Sequence, residues 1–129
     1  MSDRYNIERT LSFTYGVDLA HRRIYLDDAD AFDEGSGWRS AYNAIRAIHS
    51  LNEVSSDAIE LYITCGGGPV DLMFALYDAI RLSKAPIHTI GTGSIASAAV
   101  LILAAGHSRF ATENSWLMHH LSHGINIGD

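Results

Sequence analysis

A single cysteine, Cys65, in 129 residues excludes a disulfide framework within the chain. It equally excludes zinc sites that draw two or four cysteines from one chain. Basic residues are scarce: 9 Lys and Arg stand against 15 Asp and Glu, for a net charge of −6. With no basic stripe to neutralise a phosphate backbone, nucleic acid is not an expected partner. Long apolar runs are missing too. The longest, Ala96 to Ala105, is interrupted by Ser97 and falls well short of the ~20 residues a bilayer span needs. The opening residues, Met1 to Arg9, are polar and lack the apolar stretch of a signal peptide. These absences lead to the expectation of a cytoplasmic chain with no membrane partner. What remains is 47% apolar and 19% charged, a composition for one domain with a packed core.

Internal repeats and low-complexity linkers are not visible. Residues 1–23 are mixed and polar, with a break at Gly16. Arg23 to Leu26 reads as a short strand, and the acidic stretch Asp27 to Glu34 as a solvated loop. Trp38, Tyr42, Ile45, Ile48 and Leu51 recur at helical spacing and predict a helix from Gly37 to about Leu51. Ile59 to Thr64 is rich in β-formers and predicts a strand running into Cys65-Gly66-Gly67-Gly68-Pro69. Leu72, Met73, Leu76, Ala79 and Ile80 mark a helix that ends before Pro86. Ile87 to Gly91 predicts a strand and Gly91 to Ser94 a loop. Ala96 to Ala105 predicts a buried helix stopped by Gly106. Arg109 to Ala111 and Trp116 to His119 predict two more strands, with a turn from Thr112 to Ser115. A rhythm of strand, glycine turn and helix argues for an α/β fold with mainly parallel strands.

Three groups of residues carry possible chemistry. Gly66-Gly67-Gly68 lies after a strand and before a helix, where backbone N–H groups point outward and attract negative charge. One reading is an anion or oxyanion site; the other is a tight turn that needs positive φ. No Gly-Lys-Ser/Thr follows, so it is no P-loop, and the dinucleotide fingerprint fails as well. Ser97 is the one hydroxyl in its apolar stretch. It either bonds back to a carbonyl or serves as a nucleophile at a helix start, with the Ala98 N–H facing a developing oxyanion. Ser94 competes, though an N-cap role suits it better. Among seven histidines, His119, His120 and His123 cluster late in the chain. No His-Glu-x-x-His accompanies them, so a metal is not expected. Adjacent His119 and His120 on a strand would face opposite sides, so only one can serve Ser97 as a base.

Gly93-Ser94-Ile95-Ala96-Ser97-Ala98-Ala99, the Ala104-Ala105-Gly106 stop and Asn114-Ser115-Trp116-Leu117-Met118-His119-His120 together resemble the Clp protease proteolytic subunit (ClpP) family. Tyr62 to Gly68 and Leu76-Tyr77-Asp78 stand where that family has a strand ending in Asn-Ser-Pro-Gly-Gly and a helix with Ile-Tyr-Asp. The resemblance runs from about Arg22 to the C-terminus. It implies the ββα spiral shared with the crotonases, as a single domain over 1–129 with residues 1–21 as an N-terminal segment. It also implies a serine peptidase with Ser97 as nucleophile and His120, not His119, as general base. The backbone N–H groups of Gly68 and Ala98 are its implied oxyanion donors. Self-association into a ring, a heptamer in the family, is implied. So are an ATP-driven AAA+ unfoldase as partner and unfolded polypeptides as substrates, with no cofactor.

Three departures stand out. Pro69 removes an N–H after the glycines. Ala98-Ala99 replaces the common Met-Gly after the nucleophile. The family's triad Asp lies well downstream of its His, whereas this chain stops at Asp129, nine residues after His120. Either a fragment or a naturally short relative is expected, lacking the C-terminal part of the family domain, and the Asp role does not pass to Asp129. A triad without its Asp loses about 10⁴ in turnover. The alternative is therefore a non-catalytic ring subunit or structural relative. Retention of both Ser97 and His120 argues against it. A crotonase-type acyl-CoA enzyme is disfavoured because no catalytic carboxylates stand beside Gly66 to Gly68 or Ser97. Apolar helix faces around Trp38 to Leu51 and Leu72 to Ile80 suggest contacts within one ring layer.

Overall fold

A computed structural model describes residues 3–27 and 36–119. Four helices and six strands follow one another among these residues: α1 (Asp3–Tyr15), β1 (Val17–Asp18), β2 (Arg23–Asp27), α2 (Ser36–Val54), β3 (Ile59–Cys65), α3 (Val70–Leu82), β4 (Ile87–Ala96), α4 (Ala98–Ala105), β5 (Ser108–Ala111) and β6 (Trp116–Met118). The six strands form one sheet in the order β1-β2-β3-β4-β5, with β6 also paired to β4. β1 runs antiparallel to β2, and every other pairing is parallel. Parallel neighbours need a crossover, and α2, α3 and α4 supply one each.

Alternation along the strands decides which face is covered. Ile24 and Leu26 on β2, Ile59, Leu61, Ile63 and Cys65 on β3, and Ile87 and Ile95 on β4 are all buried. The helices meet them with Ile48 and Leu51 of α2, Leu72, Met73, Leu76 and Ile80 of α3, and Ala99 and Ile102 of α4. The opposite face is more open and carries polar and aromatic pairs. Tyr25 stacks on Tyr62 with ring centroids 5.2 Å apart, Arg23 pairs with Glu60 at 3.0 Å, and the Tyr62 hydroxyl donates to Glu60.

Several sequence expectations change here. Residues 1–23 include a full helix, α1, that has no buried residue. The inward face of α2 is the anticipated one only in part: Ile48 and Leu51 are buried and Ile45 packs against the core, but Tyr42 is exposed and Ala41, Ala44 and Ala47 are buried. Small side chains let α2 lie close to its neighbours, so the apolar stripe is displaced toward the alanines. The Trp38 side chain and the acidic residues 28–34 lie outside the described set. Within the two helix faces expected to serve ring contacts, Ile48, Leu51, Leu72, Leu76 and Ile80 are buried in the chain's own core, while Tyr42 and Phe74 are exposed.

The stretch Gly91 to Ser94 is not a loop. β4 continues through it to Ala96, with Cys65 facing Ile95 after a register shift between Ile63 and Cys65. Gly93, at φ +61, supplies the left-handed residue within this irregular stretch. A side chain at Gly91 would meet Ile95 and Leu103 at 3.1 and 3.3 Å, so that glycine serves close packing. In consequence α4 begins at Ala98, two residues later than the apolar run suggests.

Candidate functional site

Two strand-to-helix junctions meet at one point of the fold. β3 ends at Cys65 and feeds the glycine loop that leads into α3. Its neighbour β4 ends at Ala96 and passes through Ser97 into α4. Because β3 and β4 are adjacent and parallel, both junctions lie at the same end of the sheet. That end is where open α/β sheets place ligands.

Ser97 occupies a sharp turn. Its backbone stands at φ 58, ψ −133, in a region that a residue with a side chain seldom adopts. Together with Arg22 it is one of two such non-glycine residues among those described. It is the N-cap of α4, yet its side chain makes no capping bond, so the hydroxyl is not spent on the helix. No helical turn precedes it, which removes the back-bonding expectation raised from the sequence. Two backbone bonds fix the turn: the Ser97 N–H donates to the Met118 carbonyl at 2.8 Å, and the Ser97 carbonyl accepts from the Val100 N–H at 3.0 Å. Ser94 lies on β4 and is not a helix cap.

The glycine loop approaches this turn closely. A Cβ on Gly67 would lie 3.0 Å from the Ser97 Cβ, 3.3 Å from the Ala96 carbonyl oxygen and 3.4 Å from the Ala98 nitrogen. Gly67 itself sits at φ +105. The residue that needs glycine's freedom is thus Gly67. Gly66 and Gly68 are not at positive φ. The tight-turn reading therefore holds, with Gly67 as the residue at positive φ. Pro69 opens α3 as its N-cap, and its carbonyl accepts from the Met73 N–H at 3.0 Å. The Ala98 N–H lies in the first turn of α4, among the donors that a helix leaves without internal partners.

Of the residues singled out from sequence, Ser97, Ala98 and the glycine loop come together. His119 follows β6 and is exposed; His120 lies outside the described residues, as does Asp129. Among the described residues no group of three His, Cys, Asp or Glu gathers as a metal site. No helix among them is long and apolar enough to cross a membrane. The contribution of Cys65 went unread in the sequence. Its Sγ accepts from the Gly67 N–H at 3.3 Å, an interaction signalled only by its place two residues before the loop's centre.

A family model described as Clp protease matches residues 21–128. The chain is 39% identical over 105 residues to an ATP-dependent Clp protease proteolytic subunit 2 of Treponema pallidum, covering 78% of this chain and 50% of that protein. A subunit of the same name from Treponema denticola is 47% identical over 70 residues, 52% of this chain and 35% of that one. The chain therefore spans half or less of these curated relatives. The crystal structure of the ClpP protease catalytic domain from Plasmodium falciparum superposes with a TM-score of 0.71 at 24% identity, covering 95% of this chain and 62% of that one. That likeness gives the fold, the α/β architecture of ClpP structures. Taken with the match over residues 21–128, it places this chain in the Clp protease family.

Proposed function

We propose that the chain is a proteolytic subunit of the Clp protease kind, a serine-type endopeptidase in which Ser97 is the nucleophile. The observation that carries this reading is the Ser97 turn itself. A strained serine with an uncapped hydroxyl is pressed against a glycine loop at the carboxyl end of adjacent parallel strands. Strained backbone of this kind persists where surrounding structure over-determines it, and it concentrates at functional sites.

In this reading Ser97 Oγ attacks the scissile carbonyl and His120 takes its proton. The N–H groups of Gly68 and Ala98 receive the charge that develops on the carbonyl oxygen. The C–N bond then breaks, the amine leaves with the proton from His120, and water releases the acyl group from Ser97. Support for the general base comes from Met118, two residues before His120, whose carbonyl is bonded to Ser97. Support for Gly68 comes from Gly67, whose N–H is engaged by Cys65 and so leaves the next donor to face substrate. Substrates are unfolded polypeptides delivered by an ATP-driven unfoldase, and subunits associate into a ring. Both features come from the family resemblance.

The test is hydrolysis of an unstructured fluorogenic peptide by the parent chain, Ser97→Ala and His120→Ala. With no residue of this chain assigned as the triad Asp, the reading predicts turnover lowered by about 10⁴ yet still above that of Ser97→Ala. A folded parent without turnover favours the non-catalytic subunit.

A further inference from the structure

We propose that Cys65 is a positioning residue whose thiol holds Gly67, and through it the glycine loop, against Ser97. Cys65 ends β3 and is 1% exposed. Its sulfur accepts from the Gly67 N–H at 3.3 Å, and its S–H reaches the Gly67 carbonyl at 3.6 Å. Both polar backbone groups of Gly67 are therefore turned to one side chain. Glycine has no strong preference among its many backbone states, so φ +105 must be selected by something around it. The thiol is a weak donor and a weak acceptor, but here it acts twice on one residue, from a strand fixed by its pairing to Ile95. A Cβ added to the same glycine would lie 3.0 Å from the Ser97 Cβ, so the loop backbone runs close beside the serine. The sulfur thus holds a glycine that has no room for a side chain on its Ser97 side. Displacing the sulfur would displace the loop whose N–H groups face substrate.

The kinetic consequence rests on the peptidase reading; the positioning does not. A bland role competes with it: buried cysteine commonly serves as a small hydrophobe that fills space. Two substitutions separate the roles. Cys65→Val keeps buried volume and removes the acceptor, whereas Cys65→Ser keeps an acceptor and donor while losing volume. Each is followed by thermal melting, by NMR amide exchange at Gly67, by the proton contact between Gly67 and Ser97, and by the rate at which a fluorophosphonate labels Ser97. Cys65→Val should exchange Gly67 about tenfold faster, lose the proton contact and label at least tenfold more slowly, as expected when reacting groups are misplaced by a fraction of an ångström. Cys65→Ser should stay close to the parent in all three. If Cys65→Val fails to fold, Cys65→Ala replaces it. The proposal is overturned if Cys65→Val leaves Gly67 exchange and the proton contact unchanged, or if Cys65→Ser is as impaired as Cys65→Val. A parent that never labels refutes the peptidase reading alone, because exchange and proton contact at Gly67 still decide on Cys65.

Discussion

Replacing Gly67 with alanine perturbs the candidate site by a single methyl group. Two costs combine. Alanine at φ +105 occupies backbone space that L-residues rarely enter, a strain of about 1–3 kcal/mol. The new Cβ would also sit 3.0 Å from the Ser97 Cβ and 3.3 Å from the Ala96 carbonyl. Neither neighbour is the far end of a flexible side chain. Ser97 Cβ is set by its own constrained backbone, and the Ala96 oxygen belongs to the end of β4. Relief therefore comes from moving the loop away from Ser97. At roughly 3–6 °C per kcal/mol for a domain of this size, the melting temperature should drop by several degrees. Misplacing one oxyanion donor typically costs ~10²–10³ in rate, so labelling of Ser97 by a fluorophosphonate should slow by a similar factor. Gly66→Ala, at a position without positive φ, is the control and should change both readouts far less. If Gly67→Ala melts and labels like the parent, the close approach of loop and serine is not what the chemistry uses.

Other outcomes follow from the packing. Gly106→Ala drives a Cβ into Thr89 Oγ1 and places it 2.9 Å from the Ser108 carbonyl; overpacking of this kind should cost about 1–3 kcal/mol in denaturant unfolding. Thr89→Val removes the buried donor to the Leu103 carbonyl, made at 2.7 Å, and should cost about 1–3 kcal/mol by the same measurement. Burial, followed by the nearby Glu60 carboxylate, raises the Tyr62 pKa above that of an ordinary tyrosine. Ultraviolet titration should therefore show a late-ionising phenol that is absent in Tyr62→Phe. The stability tied to it is present below the unfolded value of about 10 and lost as pH climbs through the higher folded value.

The sequence was most readable where one local signal dominated. β3, α3 and the strands β5 and β6 announce themselves by β-branched runs, helical spacing and flanking turn residues. α1 escaped notice because it buries nothing: its contacts are surface ones, Arg9 over the rings of Tyr5 and Phe13 and Arg4 paired with Glu8. Gly91 and Gly93 misled in the opposite direction. Glycine reads as a loop signal, yet here one makes room for Ile95 and Leu103 and the other bends a strand that β3 and β6 hold on either side. Taken as a loop, Gly91 to Ser94 puts the start of α4 at Ala96 and hides the strained turn at Ser97. The site itself was half legible. Residue types and order pointed to Ser97, Ala98 and the glycines, but the identity of Gly67 as the crowded member depends on a contact between junctions thirty residues apart. The hold of Cys65 on that glycine depends on the conformation of the turn, which residue types alone do not specify.

Mass mapping after fluorophosphonate treatment of the parent chain tests the central claim most directly. The account predicts one modified serine, Ser97, with no label in Ser97→Ala. Modification of Ser94 or Ser115 with Ser97 untouched would contradict it, as would a folded chain that takes up no label at all.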